Sequence, residues 1–167
     1  ILPGAEVLED SCFAGCSNLT TIKIPSSVSK IGESSFYGCS GLTSVSIPTG
    51  VKELGWSSFA ECTGLTSVSI PSTVNKLGWN SFSGCEKLTG IIIPSEVKIV
   101  GDGCFNECRG LVTVTINNGV KVLGNKCFSG CTKMASIEIP SSVTTMGDNC
   151  FSNCSSLTMV TIPSSVT

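Results

Sequence analysis

Cysteine is the residue type whose number and spacing could do chemistry. Eleven of the 167 residues are Cys, and eight of them form close pairs: CFAGC from Cys12, CFNEC from Cys104, CFSGC from Cys127 and CFSNC from Cys150. Two thiols four residues apart suggest a disulfide framework, a metal site or a catalytic nucleophile. A zinc site would need a companion Cys pair or His ligands at metal-binding spacing, and a Ser or Cys nucleophile ordinarily needs His as its base. The chain contains no His. Eleven thiols cannot all pair among themselves. Each repeated Gly is isolated behind an aliphatic residue, so no phosphate-cradling loop is present, and no pair of carboxylates stands out for acid–base work. These residues exclude the commoner catalytic designs, and no motif implies a cofactor.

The elements that carry the cysteines explain them better. All seven Phe residues stand 23 apart, at 13, 36, 59, 82, 105, 128 and 151, and a Cys follows each three positions later. Six positions after each Phe comes Leu (Met134 once), then a β-branched residue, then Ile at 24, 47, 70, 93, 116, 139 and 162. A strict period of this length marks a solenoid, in which one unit cannot bury its apolar side and stacked neighbours supply the core.

One unit, LTSVSIPSTVNKLGWNSFSGC from Leu65 to Cys85, gives the coil. Alternation of Val68 and Ile70 with Ser67 and Ser69 predicts a short strand with one buried face. Pro71 ends it. Gly78 and its equivalents predict a tight turn with positive φ, and the segment carrying Phe82 predicts a turn of α- or 3₁₀-helix. Coils stacked about 4.8 Å apart would pair their strands in parallel. Val28, Ile31, Phe36, Cys39, Leu42, Val45 and Ile47 form the expected inward set of one coil. The expected fold is a repeat solenoid, right-handed by the general rule for parallel crossovers, with the parallel sheet on its concave side. About seven repeats fill residues 1–167 as a single unit.

This repeat resembles the Treponema-type leucine-rich repeat of BspA-like surface proteins, whose pattern runs Leu-x-x-Ile-x-Ile-Pro, then Ile-Gly, then Ala-Phe-x-x-Cys. The resemblance covers essentially the whole chain. Its departures are Asn117 where the strand-ending Pro is expected, a first unit one residue short between Pro3 and Phe13, and Ser or Cys rather than Ala before each Phe. The first two bear on local turns, whereas the third keeps a small residue. The resemblance implies an extracellular or cell-surface protein of adhesion type that binds other proteins or glycoproteins of a matrix or cell surface.

Within the repeat the cysteines fall into columns. The second Cys of each pair belongs to an unbroken column of seven; the first shares a column with Ser, reading Cys12, Ser35, Ser58, Ser81, Cys104, Cys127 and Cys150. Interchange with Ser points to a demand for a small side chain. Buried free thiols packed as small hydrophobes are the preferred reading. Disulfides between coils are the alternative, since stacking brings Cα atoms near the roughly 4.4–6.8 Å that a bridge requires.

Contact surfaces follow from the same columns. The outward positions of the strand segment include Thr21, Lys23, Ser44, Ser46, Ser67, Ser69, Ile92, Thr113 and Thr115, a hydroxyl-rich and nearly uncharged face. Trp56 and Trp79 interrupt a polar column of Asp10, Glu33, Asp102, Asn125 and Asp148. If exposed they would form an apolar strip of the kind found at binding hot spots; the plainer reading folds each over its own turn. The carboxylates of that column read as a solvated edge. Sequons at Asn18 and Asn153 are glycan acceptors in a eukaryotic secretory protein. The first and last coils show no polar capping unit, so Ile22, Ile24, Val160 and Ile162 are candidates for end-to-end stacking into filaments, the alternative structural role.

Charged residues make up 13% of the chain and its formal net charge is −2. Nucleic acid is not an expected partner of such a surface. The longest aliphatic run, Gly90–Pro94, falls far short of the roughly 20 residues of a membrane span. The opening ILPGAEVLED has no signal-peptide pattern.

Overall fold

The structure, a computed structural model, describes residues 1–167. Thirteen short parallel strands, numbered in chain order, wind into a solenoid without a single helix, and so without any helix long and apolar enough to cross a membrane. Two strand positions recur per coil. The first set lies where alternation predicted it: β3 (Ser44–Ser46), β5 (Ser67–Ser69), β7 (Gly90–Ile93), β9 (Thr113–Ile116), β11 (Ser136–Glu138) and β13 (Met159–Thr161). These pair two by two, β3 with β5, β7 with β9 and β11 with β13. The unbroken sheet lies elsewhere. It has seven strands, β1 (Val7–Leu8), β2 (Lys30–Ile31), β4 (Glu53–Leu54), β6 (Lys76–Leu77), β8 (Ile99–Val100), β10 (Val122–Leu123) and β12 (Thr145–Met146), joined in that order. Partners are 23 residues apart throughout, as in Val7↔Lys30 and Leu77↔Val100. Two residues are too few for a period to be read, which is why this second ladder was not foreseen.

The first coil, one residue short, still enters this sheet in register. Gly4, in the turn that precedes β1, has φ 92°. At Asn117, β9 simply ends at Ile116 and the following turn places Gly119 at φ 140°, its N–H donating to Ser142 Oγ at 2.8 Å.

Between the two strand positions lies one core of 39 buried residues. The inward set expected for one coil, Val28, Ile31, Phe36, Cys39, Leu42, Val45 and Ile47, is buried to the last member. Phe rings stack from coil to coil with centroids 5.0–5.7 Å apart and planes within 6°. An identical side chain at the same height in each coil must repeat its rotamer, so the column packs as a stack.

The expected helical turn around Phe82 is absent. Consecutive turns replace it, in which alternate N–H groups serve different partners. Ala14 and Cys16 donate within the coil to Ser11 and Phe13, whereas Ser11, Phe13 and Gly15 donate to carbonyls of the next coil, Glu33, Ser35 and Tyr37. Left-handed residues make this possible by swinging peptide groups toward the stacking axis. They include Ser34, Ser57, Asn80, Lys126 and Asn149, with φ of 52–57°. Each non-Gly residue there costs about 1–2 kcal/mol, which the extra inter-coil hydrogen bonds offset.

The Gly78 column therefore has a different reason from the one expected. None of Gly32, Gly55, Gly78, Gly101, Gly124 and Gly147 has positive φ. A Cβ on Gly78 would lie 2.5 Å from the Leu54 carbonyl oxygen and 2.8 Å from that of Gly55. Glycine is required because backbone passes backbone, not because the chain turns there.

The thiols have positive structural work. Cys39, Cys62, Cys85, Cys108, Cys131 and Cys154 each donate from Sγ to the carbonyl of the Phe in the preceding coil, at 3.1–3.3 Å. All eleven cysteines are free, and only Cys12 and Cys16 are exposed. Burial raises the Cys62 and Cys104 thiols to about 12, with burial also pushing Cys85 and Cys108 well above the usual value. An unfolded chain ionises its thiols near pH 9 while the folded chain keeps these protonated, so the unfolded state is favoured as pH rises. The expected result is a chain of constant thiol contribution below pH 9 that loses stability between pH 9 and 12, by up to ~1.4 kcal/mol per pH unit for each such thiol. Urea denaturation under reducing conditions at pH 8 and pH 10 measures it; equal midpoints would refute it.

Ser35 and Ser58, in the mixed Ser and Cys column, are fully buried with Oγ lacking any partner. By contrast, Ser81 Oγ lies 3.2 Å from Cys104 Sγ. Ser58→Ala removes an orphaned hydroxyl and leaves a very small void, so a gain of about 1 kcal/mol is expected in the same denaturation assay.

Candidate functional site

The polar column that Trp56 and Trp79 interrupt follows the seven-stranded sheet by two residues, after the close-packed glycines. Its carboxylates and amides are exposed, apart from the half-buried Asp102, yet they also cap backbone. Asp10 Oδ1 accepts the Glu33 N–H at 2.8 Å, Asp102 Oδ1 that of Asn125 at 3.0 Å, and Asn125 Oδ1 that of Asp148 at 2.7 Å. A short side chain with an oxygen two bonds beyond Cβ reaches the next coil's N–H; this is the Asx capping habit applied between coils. The spacing of Asp and Asn at 23-residue intervals was the available signal, but only the stacked register reveals what it does.

In the middle of the column the ladder is replaced by aromatic surface. Trp56 and Trp79 are 48% and 50% exposed, and their rings stack at 4.8 Å with planes 8° apart. They form the side-by-side strip, and neither ring lies alone over its own turn. Beside Trp56 runs a cleft of about 420 Å³. Its walls include Asp10, Lys30, Glu33, Lys52, Glu53 and Lys76, with Ile31, Leu54 and glycines at its base. Trp79 does not line it. The cleft was not legible in the sequence, because Lys30, Glu53 and Lys76 are brought together by the two-residue strands.

The hydroxyl-rich strand face is distinct from this cleft. Thr21, Lys23, Ser44, Ser46, Ser67, Ser69, Thr113 and Thr115 are all exposed, and Ile92 is 63% exposed among them. The register sets Ser44 beside Ser67 and Ser46 beside Ser69. A shallow groove of about 510 Å³ crosses this face between Val68, Ile92 and Thr115. Thr hydroxyls next to the face turn back to the backbone, as Thr66 Oγ1 does to the Thr43 carbonyl at 2.9 Å.

Of the four residues considered for end-to-end stacking, Ile24 is buried in the chain's own core. Ile22 and Val160 are half-buried and Ile162 is 57% exposed. Both sequon residues, Asn18 and Asn153, are exposed, Asn153 with φ 59°. No cluster of three or more His, Cys, Asp or Glu side chains is arranged to hold a metal ion.

Comparison with known proteins agrees with this architecture. Among solved structures, a leucine-rich repeat protein from Bacteroides ovatus superimposes with a TM-score of 0.91 at 36% identity, over 96% of this chain and 42% of its own. A leucine rich cell surface protein from Faecalibacterium prausnitzii gives 0.85 at 35% identity, over 93% of this chain and 42% of its own. The T. pallidum leucine-rich repeat protein gives 0.84 at 30% identity, over 91% of this chain and 71% of its own. The chain thus spans less than half the length of the first two. No curated protein matches the sequence. The model of the BspA type leucine rich repeat region matches residues 2–112 and 77–167 in six copies, and the chain belongs to that family.

Proposed function

We propose that the chain is a non-catalytic adhesion module of a cell-surface protein, binding extracellular proteins or glycoproteins. The observation that carries this reading is the stacked, half-exposed Trp56–Trp79 pair set in a column whose other members are polar. A solvated tryptophan pair contributes little to the fold it stands on, whereas Trp at the centre of an interface is a common source of binding energy. The solenoid suits the role: its repeated hydrogen bonds fix the surface in advance, so little ordering entropy is lost on binding. The F. prausnitzii relative is a cell surface protein, which supports a surface location for this chain as well.

Beads coated with the chain should adhere to immobilised extracellular matrix, and the Trp56→Ala/Trp79→Ala double variant should lose adhesion at least about tenfold with its circular dichroism unchanged. Equal adhesion of the variant would remove the strip from the reading. Negative-stain microscopy of the same samples addresses the alternative, self-assembly through Ile22, Val160 and Ile162. Long fibres unaffected by the Trp changes would favour a structural role over an adhesive one.

A further inference from the structure

We infer that the cleft beside Trp56 is a carbohydrate-binding site for a neutral sugar ring. The inference rests on the adhesion reading and names the class of group that this surface takes from a glycoprotein.

Three features of the cleft converge. The first is an aromatic platform. Trp79 covers one face of the Trp56 ring, and Trp56 but not Trp79 lines the cleft, so the uncovered face of Trp56 is the one presented there. Trp79 also holds that ring upright from behind.

The second is a backbone donor without a partner. In three other coils the preceding Asp or Asn caps the N–H at this position. Glu33 precedes Trp56, and its longer side chain does not make that bond; the Trp56 N–H has no acceptor in the protein. By the 23-residue register this N–H faces the preceding coil, the side on which Asp10 and Glu33 border the cleft. An oxygen from a bound molecule would stand where the Asp or Asn oxygen stands in those three coils; the N–H groups of Trp79 and Asp102, which follow a tryptophan in the column, are uncapped as well but do not border the cleft.

The third is the charge of the walls. Three carboxylates, Asp10, Glu33 and Glu53, line it together with three ammonium groups, Lys30, Lys52 and Lys76. Acceptors and donors surround the aromatic face without a net charge.

A pyranose answers all three. One of its faces presents C–H groups to an aromatic ring, and its rim carries hydroxyls that both donate and accept. One hydroxyl oxygen would accept from the Trp56 N–H, and others would donate to Glu33 and accept from Lys52. A quaternary ammonium would meet the Trp face and the carboxylates, but it would also meet three lysines and would leave the N–H unfilled. A sulfated or sialylated sugar would add a charge that the balanced walls do not offset.

A glycan array carrying neutral, sialylated and sulfated oligosaccharides tests this with the wild-type chain, followed by fluorescence titration of the strongest neutral ligand. Binding is expected to neutral glycans. Trp56→Ala should weaken it at least tenfold and Lys133→Ala, exposed on a distant coil, should leave it unchanged. Glu33→Asp restores the capping carboxylate at the Trp56 N–H, and should weaken binding severalfold while the fold remains as stable or becomes more so. Retention of no glycan by the folded chain, of anionic glycans alone, or equal binding by Trp56→Ala and Glu33→Asp would overturn the proposal. Bead adhesion to enzymatically deglycosylated matrix separates the two readings. If Trp56-dependent adhesion persists there, the adhesive role stands and the sugar site falls. If arrayed neutral glycans bind but no matrix does, the sugar site stands and the adhesive role falls.

Discussion

Phe82→Ala is expected to lower the stability of the chain by about 3–5 kcal/mol. Phe82 is fully buried and lies between Phe59 and Phe105, each 5.5 Å away in a nearly parallel stack. Removing it opens a cavity in the fourth of seven rings, and the neighbouring rings are held by their own coils and cannot collapse into it. Solenoid stability is a sum over neighbouring units, so a defect in the middle also uncouples the two halves. Urea denaturation should show an earlier midpoint and a shallower or two-step transition. Phe13→Ala is the comparison. Phe13 is only half-buried and has a ring on one side alone, so its loss should cost roughly half as much and leave a single transition. Equal losses at the two positions would show that the column does not act as a stack.

Gly78→Ala is expected to be at least as damaging, about 4 kcal/mol or outright failure to fold, although it adds one methyl group. The atoms that the new Cβ meets, the carbonyl oxygens of Leu54 and Gly55 at 2.5 and 2.8 Å, belong to backbone and have no rotamer to yield. Relief requires the coils to separate, and separation breaks the pairing of Glu53 with Lys76 and Leu54 with Leu77. Gly15→Ala provides the contrast: φ is +73° but nothing lies within 4 Å of its Cβ position. Backbone strain of about 1–2 kcal/mol is the whole expected cost there. Thermal melts of the two variants distinguish close approach from conformational need as the reason for glycine.

That contrast locates the limit of what a repeat discloses. A column of glycine is visible in the sequence, and both left-handed turns and tight backbone contacts produce one. The unforeseen left-handed positions carry Ser, Asn, Lys and Gly at Ser57, Asn80, Lys126 and Gly103, a mixture with no single signature. The thiol column was legible as small and buried, because Cys and Ser interchange in the column beside it. Its donation to Phe carbonyls of the preceding coil was not, since the partners stand 26 residues apart, out of step with the 23-residue period.

The sequence alone determined the solenoid, the coil length, the inward column set and the family resemblance, because one unit repeated in frame must bury the same side chains at every level. It also marked Trp56 and Trp79 as foreign to their column. Tertiary structure decided which segment carries the unbroken sheet, why the glycines recur, and that Trp56 stands over a cleft with its N–H uncapped. These depend on how far one coil lies from the next and on which way each peptide group points, and a column of letters carries neither.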